Sequence, residues 1–386
     1  MIIFKNIEDV DKIKVRTYKR KVIKKSLRKL SGEFYRNPMK KIGKIKHFFF
    51  WLTFYLRNLI INYIIYSFLD IWDRAHGSSS NILAQRMGEN PKKDSKSVAI
   101  FVHFSVNGGV SEMVERQARM YGELGFAVLL VSNSPVFPIC SRQSAHSWAS
   151  MIIHRKNTGL DFGGWKDAIP VALEFWKNSE EILLINDSVI GPIYPLGPIF
   201  EQIRKEGDGF FGLVESIQGG LHMQSWFNFA KGKKAISDLS MFFSEMRLSR
   251  SKSKIIKRGE IMLAKSMRDR GNRVAALYSY SEMVDLGLCV PAERAYLQRA
   301  LPQWFVDGDD VATRTRFMAW PINPTHQLWR VLAGPGRCPF IKTELVRKNP
   351  VGLPDLEKWQ EFVSEASPIS VEIIKNHLNS LDGQVK

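Results

Sequence analysis

Five runs of strand length in this 386-residue chain are apolar throughout: residues 98–102 (VAIFV), 127–131 (AVLLV), 151–153 (MII), 182–185 (ILLI) and 210–214 (FFGLV). Strand side chains alternate between the two faces of a sheet, so such a run needs cover on both sides. Helical patterns separate the runs. Residues 111–124 have helical spacing with Ser111 as N-cap and Gly125 as stop, and 167–177 reads as the helix between the third and fourth strands. The expected fold class is therefore α/β, a mostly parallel sheet between helical layers. Residues 233–271 read as helices with a basic stretch, and 355–380 also reads as helical.

What ends each run points to a site. Asn107-Gly108-Gly109 follows the first strand, Ser132-Asn133-Ser134 the second, residues 157–167 the third and Asn186-Asp187-Ser188 the fourth. In open α/β sheets, ligands bind in the crevice at the carboxyl ends of the strands. Any one of these loops is explained by turn chemistry alone. Four in succession at one sheet edge are harder to assign to turns. Several chemistries are missing, since the chain has no GxGxxG fingerprint, no GxxxxGK[ST] loop, no HExxH and no CxxC.

Group transfer from a nucleotide sugar suits the residues present. The departing diphosphate needs a divalent cation, or positive side chains and amide dipoles. The sugar hydroxyls need carboxylates and amides, and an inverting reaction needs a carboxylate to take the acceptor's proton. Asp187 suits a hard cation, Mg2+ or Mn2+. Asn157, Asp161 and Asp167 suit the sugar, with Asn107, Asn133, Asn186 and Ser188 in the same set of loops. Arg155 and Lys166 are candidates for the diphosphate, and Trp165 either stacks on a sugar or base or fills the core. Glu260 is the favoured base, its competing explanation being a carboxylate at a helix N-terminus. His222 has no Ser or Asp partner at a recognisable spacing, so satisfying local backbone is its simpler role.

The net charge of +18 is unevenly placed. Residues 1–47 hold 16 Lys and Arg against 4 Asp and Glu, a net of +12, which leaves +6 for the remainder. A basic arm adheres to polyanions, either nucleic acid or anionic lipid. The apolar, aromatic-rich tract at 48–69 favours lipid; a nucleic-acid binder is expected to interleave its basic residues with stacking aromatics in one domain. Arg57 in mid-tract handicaps a bilayer span, and Trp51, Tyr55, Tyr63 and Tyr66 suit a helix lying in the interface. A buried helix of the globular part is the alternative. Residues 1–72 are thus expected as a membrane-docking arm, 73–96 as a linker, 97–350 as the main domain and 351–386 as a helical tail. Cys140, Cys289 and Cys338 make neither a disulfide framework nor a zinc pattern.

Longer segments carry a resemblance. Val131-Ser132-Asn133-Ser134, the run RKNTGLDFGGWKD at 155–167, LINDSVIGP at 184–192, NPTHQLW at 323–329 and PFIKTELVRKNP at 339–350 together resemble the rhamnan synthesis protein F family of bacterial cell-surface polysaccharide assembly. The resemblance covers roughly 97–350. It implies a GT-A-like nucleotide-sugar domain, working as a peripheral protein at the cytoplasmic face of the inner membrane on a lipid-linked glycan. Asn186-Asp187-Ser188 would then stand where such folds keep an acidic metal motif, here with one carboxylate instead of two. Lys342 and Arg347, with Arg155, are the candidates to replace part of the cation's role, and His222, Lys342 and Arg347 to meet the acceptor or a phosphate. The rival expectation is a non-catalytic member that binds glycan or organises an assembly complex.

Overall fold

In a computed structural model the described residues are 5–6, 71 and 81–382. Apart from Lys5, Asn6 and Ile71, the expected docking arm at 1–72 lies outside them.

The strands are β1 (Lys5–Asn6), β2 (Ile82–Met87), β3 (Ser97–His103), β4 (Ala127–Ser132), β5 (Met151–Arg155), β6 (Glu181–Asn186), β7 (Val189–Ile190), β8 (Gly209–Ser216), β9 (His222–Met223), β10 (Phe227–Lys231), β11 (Val274–Tyr278) and β12 (Ile341–Lys342). The main sheet has the order β1-β11-β8-β10-β6-β3-β4-β5-β2. β5, β4, β3 and β6 are mutually parallel, as are β8 and β11, while β10 runs against both of its neighbours. The result is a mixed α/β fold on a mostly parallel sheet.

Each fully apolar strand is covered twice, as its composition requires. On β3, Ala99 and Phe101 pack into one core with α1 (Glu112–Glu123), whereas Val98, Ile100 and Val102 face the other with α3 (Leu160–Phe175). The short α2 (Ile139–Trp148) flanks β5, and α4 (Gly197–Lys205) joins the first core. Ser111 caps α1 by accepting from Val114 N.

Three expectations are corrected. Residues 82–87, placed in a linker, form the edge strand β2, antiparallel to β5; their largely exposed pattern is that of a strand with one neighbour. The helix expected at 167–177 begins at Leu160, because the glycines and aspartate at its start read as loop. The C-terminal residues do not form a separate tail: Ile369 and Ile374 are fully buried, and the last helix (Val371–Asp382) packs against α1.

Candidate active site at the switch point

The winding of the sheet reverses at β3, with β4 and β5 on one side and β6 on the other. Such a switch point leaves an open crevice at the strand ends. Here polar side chains bridge it. His103 ends β3 and places Nδ1 2.6 Å from Asp187 Oδ2, which also accepts from Phe104 N at 3.1 Å. His103 Nε2 lies 3.1 Å from Gly109 O, which draws in the 107–109 loop. Asn186 Nδ2 donates to Asp161 Oδ2 at 2.8 Å. Lys342 arrives from β12, whose antiparallel register pairs it with Val189 and sets its Nζ 2.9 Å from Ser188 Oγ.

Asp161 stands in the first turn of α3, straight after Leu160 at φ +55°. The left-handed conformation costs a leucine about 1–2 kcal/mol. Asn133 Nδ2 helps hold it there by donating to Leu160 O at 3.0 Å. Gly163 and Gly164 let the helix start close to its neighbours: a Cβ on Gly163 would stand 1.8 Å from Thr158 O, and one on Gly164 2.8 Å from Val102 Cγ2.

Glu260 acts on the same group of charges from a different element. It ends a π-helical turn, Ile256–Glu260, in the middle of a helical run from Lys252 to Asp269. The alternative of a helix N-terminal carboxylate therefore fails, while π-turns recur at functional sites. Its Oε1 lies 3.9 Å from His222 Nε2, and His222 Nδ1 lies 2.7 Å from Gly220 O, the local backbone partner expected for it.

The charges are coupled. Burial pushes the Asp161 carboxyl up to about 7; Asp187 and Glu260 add to the rise, while Lys342 and Lys252 oppose it. Burial lowers the Lys342 ammonium, and Glu260, Asp161 and Glu344 support its charge. His326 is lowered by burial, with Lys342 and Lys252 adding to the effect. His377, from the last helix, is pushed down to about 4 by burial although Asp187 favours its charge. Its Nδ1 lies 2.7 Å from Ser111 Oγ, and its buried Nε2 has no hydrogen-bond partner among the described residues.

Other candidates lie behind the cleft. Arg155 is fully buried and donates from Nε to Asp167 at 2.8 Å, and from its two terminal nitrogens to Asn133 Oδ1 at 2.8 Å and Thr158 O at 2.9 Å. With both amide ends of Asn133 engaged, Arg155 and Asn133 make a buried scaffold for the loops, and the half-buried Asp167 anchors it through Arg155. Trp165 is also fully buried, with Nε1 donating to Ile100 O, so it is core. Lys166 donates to the carbonyls of Phe243, Ser244 and Met246 at the end of α5 (Lys233–Glu245), a C-terminal cap. Asn107 and Asn157 are exposed in their loops. Arg347 donates to Leu381 O and so ties down the last helix. Sequence reasoning missed His103, Lys252, His326 and His377. His103 had a signal as the polar residue closing the VAIFVH strand, and His326 as a member of the NPTHQLW run.

The donor set does not fit a divalent cation held by the protein. Among the described residues no three His, Cys, Asp or Glu side chains gather as ligands. Asp187 Oδ2 already accepts from two donors, and the Lys342 ammonium stands among the remaining carboxylates.

The fold and cleft define a class: an α/β protein with an acidic, lysine-neutralised crevice at its switch point. Residues 128–289 match the sequence model of rhamnan synthesis protein F. The chain is 28% identical over 320 residues to virulence protein VirA of Vibrio anguillarum, covering 80% of this chain and 97% of VirA. It is 25% identical over 219 residues to the uncharacterized protein y4gN of Sinorhizobium fredii, 55% of each chain. Among solved structures it aligns with the bifunctional glycosyltransferase WbbM at a TM-score of 0.32 and 11% identity. That alignment covers 75% of this chain and 53% of WbbM, so the chain spans about half of that protein.

Proposed function

We propose that the chain is a glycosyltransferase of polysaccharide biosynthesis, with a GT-A-like domain that takes a nucleotide-diphosphate sugar and passes the sugar to a lipid-linked or growing glycan. The family model that the core segment matches supports rhamnose as the sugar. One observation carries the reading. Asp161, Asp187, Glu260 and Lys342 come from four separate elements and interact at the crevice where open α/β sheets bind ligands.

The residues divide the work. A general base operates best with a pKa near the working pH, and the carboxyl tuned there is Asp161. We therefore assign Asp161, in place of Glu260, to take the proton of the acceptor hydroxyl. Burial sets most of that tuning, and Asp187 and Glu260 add to it by repulsion. Lys342 supplies positive charge for the departing diphosphate, a task the sequence left open between Mg2+ or Mn2+ at Asp187 and Arg155, Lys342 or Arg347. Asn186 holds the Asp161 carboxyl, and Ser188, which donates to Asn186 Oδ1, holds Lys342.

Isothermal titration with dTDP-, UDP- and GDP-sugars tests the proposal. One donor is expected to bind with similar affinity in EDTA and in Mn2+, and Lys342→Met is expected to weaken it about tenfold or more, the cost of one charged hydrogen bond. Failure of the whole panel to bind would move the chain to the non-catalytic class.

A further inference from the structure

Two loops at the switch point and the first residue of α2 turn large apolar side chains to solvent. Phe104 is 38% exposed, Val106 44%, Val136 53% and Ile139 65%. Scattered exposed hydrophobics are ordinary, but these are contiguous. Ser105 N donates to Ser134 Oγ at 3.0 Å, and a Cβ on Gly108 would stand 2.1 Å from Val136 O. The rim borders the site itself, because Phe104 N donates to Asp187.

Behind the rim lies a cleft of about 650 Å³ that runs from Phe137, Ile139 and His154 to Arg86, Arg142 and His146. Arg142 Nε is buried with no hydrogen-bond partner among the described residues. The cleft's one carboxylate, Glu89, pairs with His146 at 3.4 Å, so positive charge is in excess there. One wall of the cleft is β2. In sequence, the +12 arm and the aromatic tract at 48–69 precede that strand. An apolar rim backed by arginines is the chemistry of a bilayer interface: apolar groups enter the acyl boundary and cations meet the headgroups.

We propose that Phe104, Val106, Val136 and Ile139 insert into an anionic lipid bilayer while Arg86 and Arg142 meet its phosphates, so that the crevice opens at the membrane surface. The inference rests on the transferase proposal for its purpose, delivery of a lipid-borne acceptor, but its test reads lipid contact and no turnover.

Cys140 is exposed beside Ile139, and Cys289 is exposed at the far end of the helix Tyr280–Cys289. The full chain is labelled with an environment-sensitive maleimide at Cys140 in a Cys289→Ser background, and at Cys289 in a Cys140→Ser background. Each is mixed with phosphatidylcholine–phosphatidylglycerol vesicles carrying brominated acyl chains. Quenching at Cys140 is expected to exceed that at Cys289 several-fold, and Val136→Asp with Ile139→Asp is expected to abolish the excess. Equal quenching at both sites, co-sedimentation with the Cys140 dye still in water, or no vesicle binding would each overturn the proposal.

Discussion

Asp161 and Arg155 stand close to each other in sequence and do opposite things. Asp161 sits among the charges at the switch point with a carboxyl pushed up to about 7, chiefly by burial. A group whose folded pKa is raised stabilises the fold below its unfolded pKa, and that contribution is lost as pH rises through about 7. Asp161→Asn is therefore expected to melt above wild type at alkaline pH and close to it near pH 4, by scanning calorimetry. The same substitution is expected to lower transfer about 100-fold or more, the usual share of a general base. Arg155 is buried against Asp167, and breaking such a pair costs about 3–5 kcal/mol. Arg155→Ala should lose stability of that order in urea, whereas an arginine serving mainly as a phosphate ligand would lose donor affinity and keep its stability.

At the scale of elements, α3 decides where the acid goes. Its first turn places Asp161, and Gly163 and Gly164 let that turn close on Thr158 and Val102. Gly163→Ala drives a methyl into the Thr158 carbonyl and is expected to cost about 1–3 kcal/mol in urea, the range for overpacking. The parallel strands β3, β4, β5, β6 and β8 were legible because a strand buried on both faces is apolar at every position, as residues 98–102 and 127–131 are, whereas β11, equally apolar, was not read. Strand β10 was not legible, since its Asn228 and Lys231 break the apolar run. The start of α3 misled for a similar reason, its glycines serving close packing while reading as a turn. Asp161, Asn186, Asp187 and Ser188 were legible as polar residues after apolar strands. Sequence position alone does not separate them from Asn133 and Arg155, which share that location and point inward to each other.

In the whole molecule, the crevice collects residues far apart in the chain. Lys342 is brought in by the β7–β12 pair, Glu260 by the π-turn, and His377 by the last helix. Lys342 pulls the Asp161 carboxyl down, while Glu260 pushes it up. The pH dependence of kcat/KM for transfer from the donor that binds tests this coupling most directly, measured in wild type, Glu260→Gln and Lys342→Met. The rate is expected to rise with pH to a limb near 7 in wild type, at lower pH in Glu260→Gln and at higher pH in Lys342→Met. Coincident limbs in all three proteins, or shifts of the opposite sign, would contradict a single coupled site.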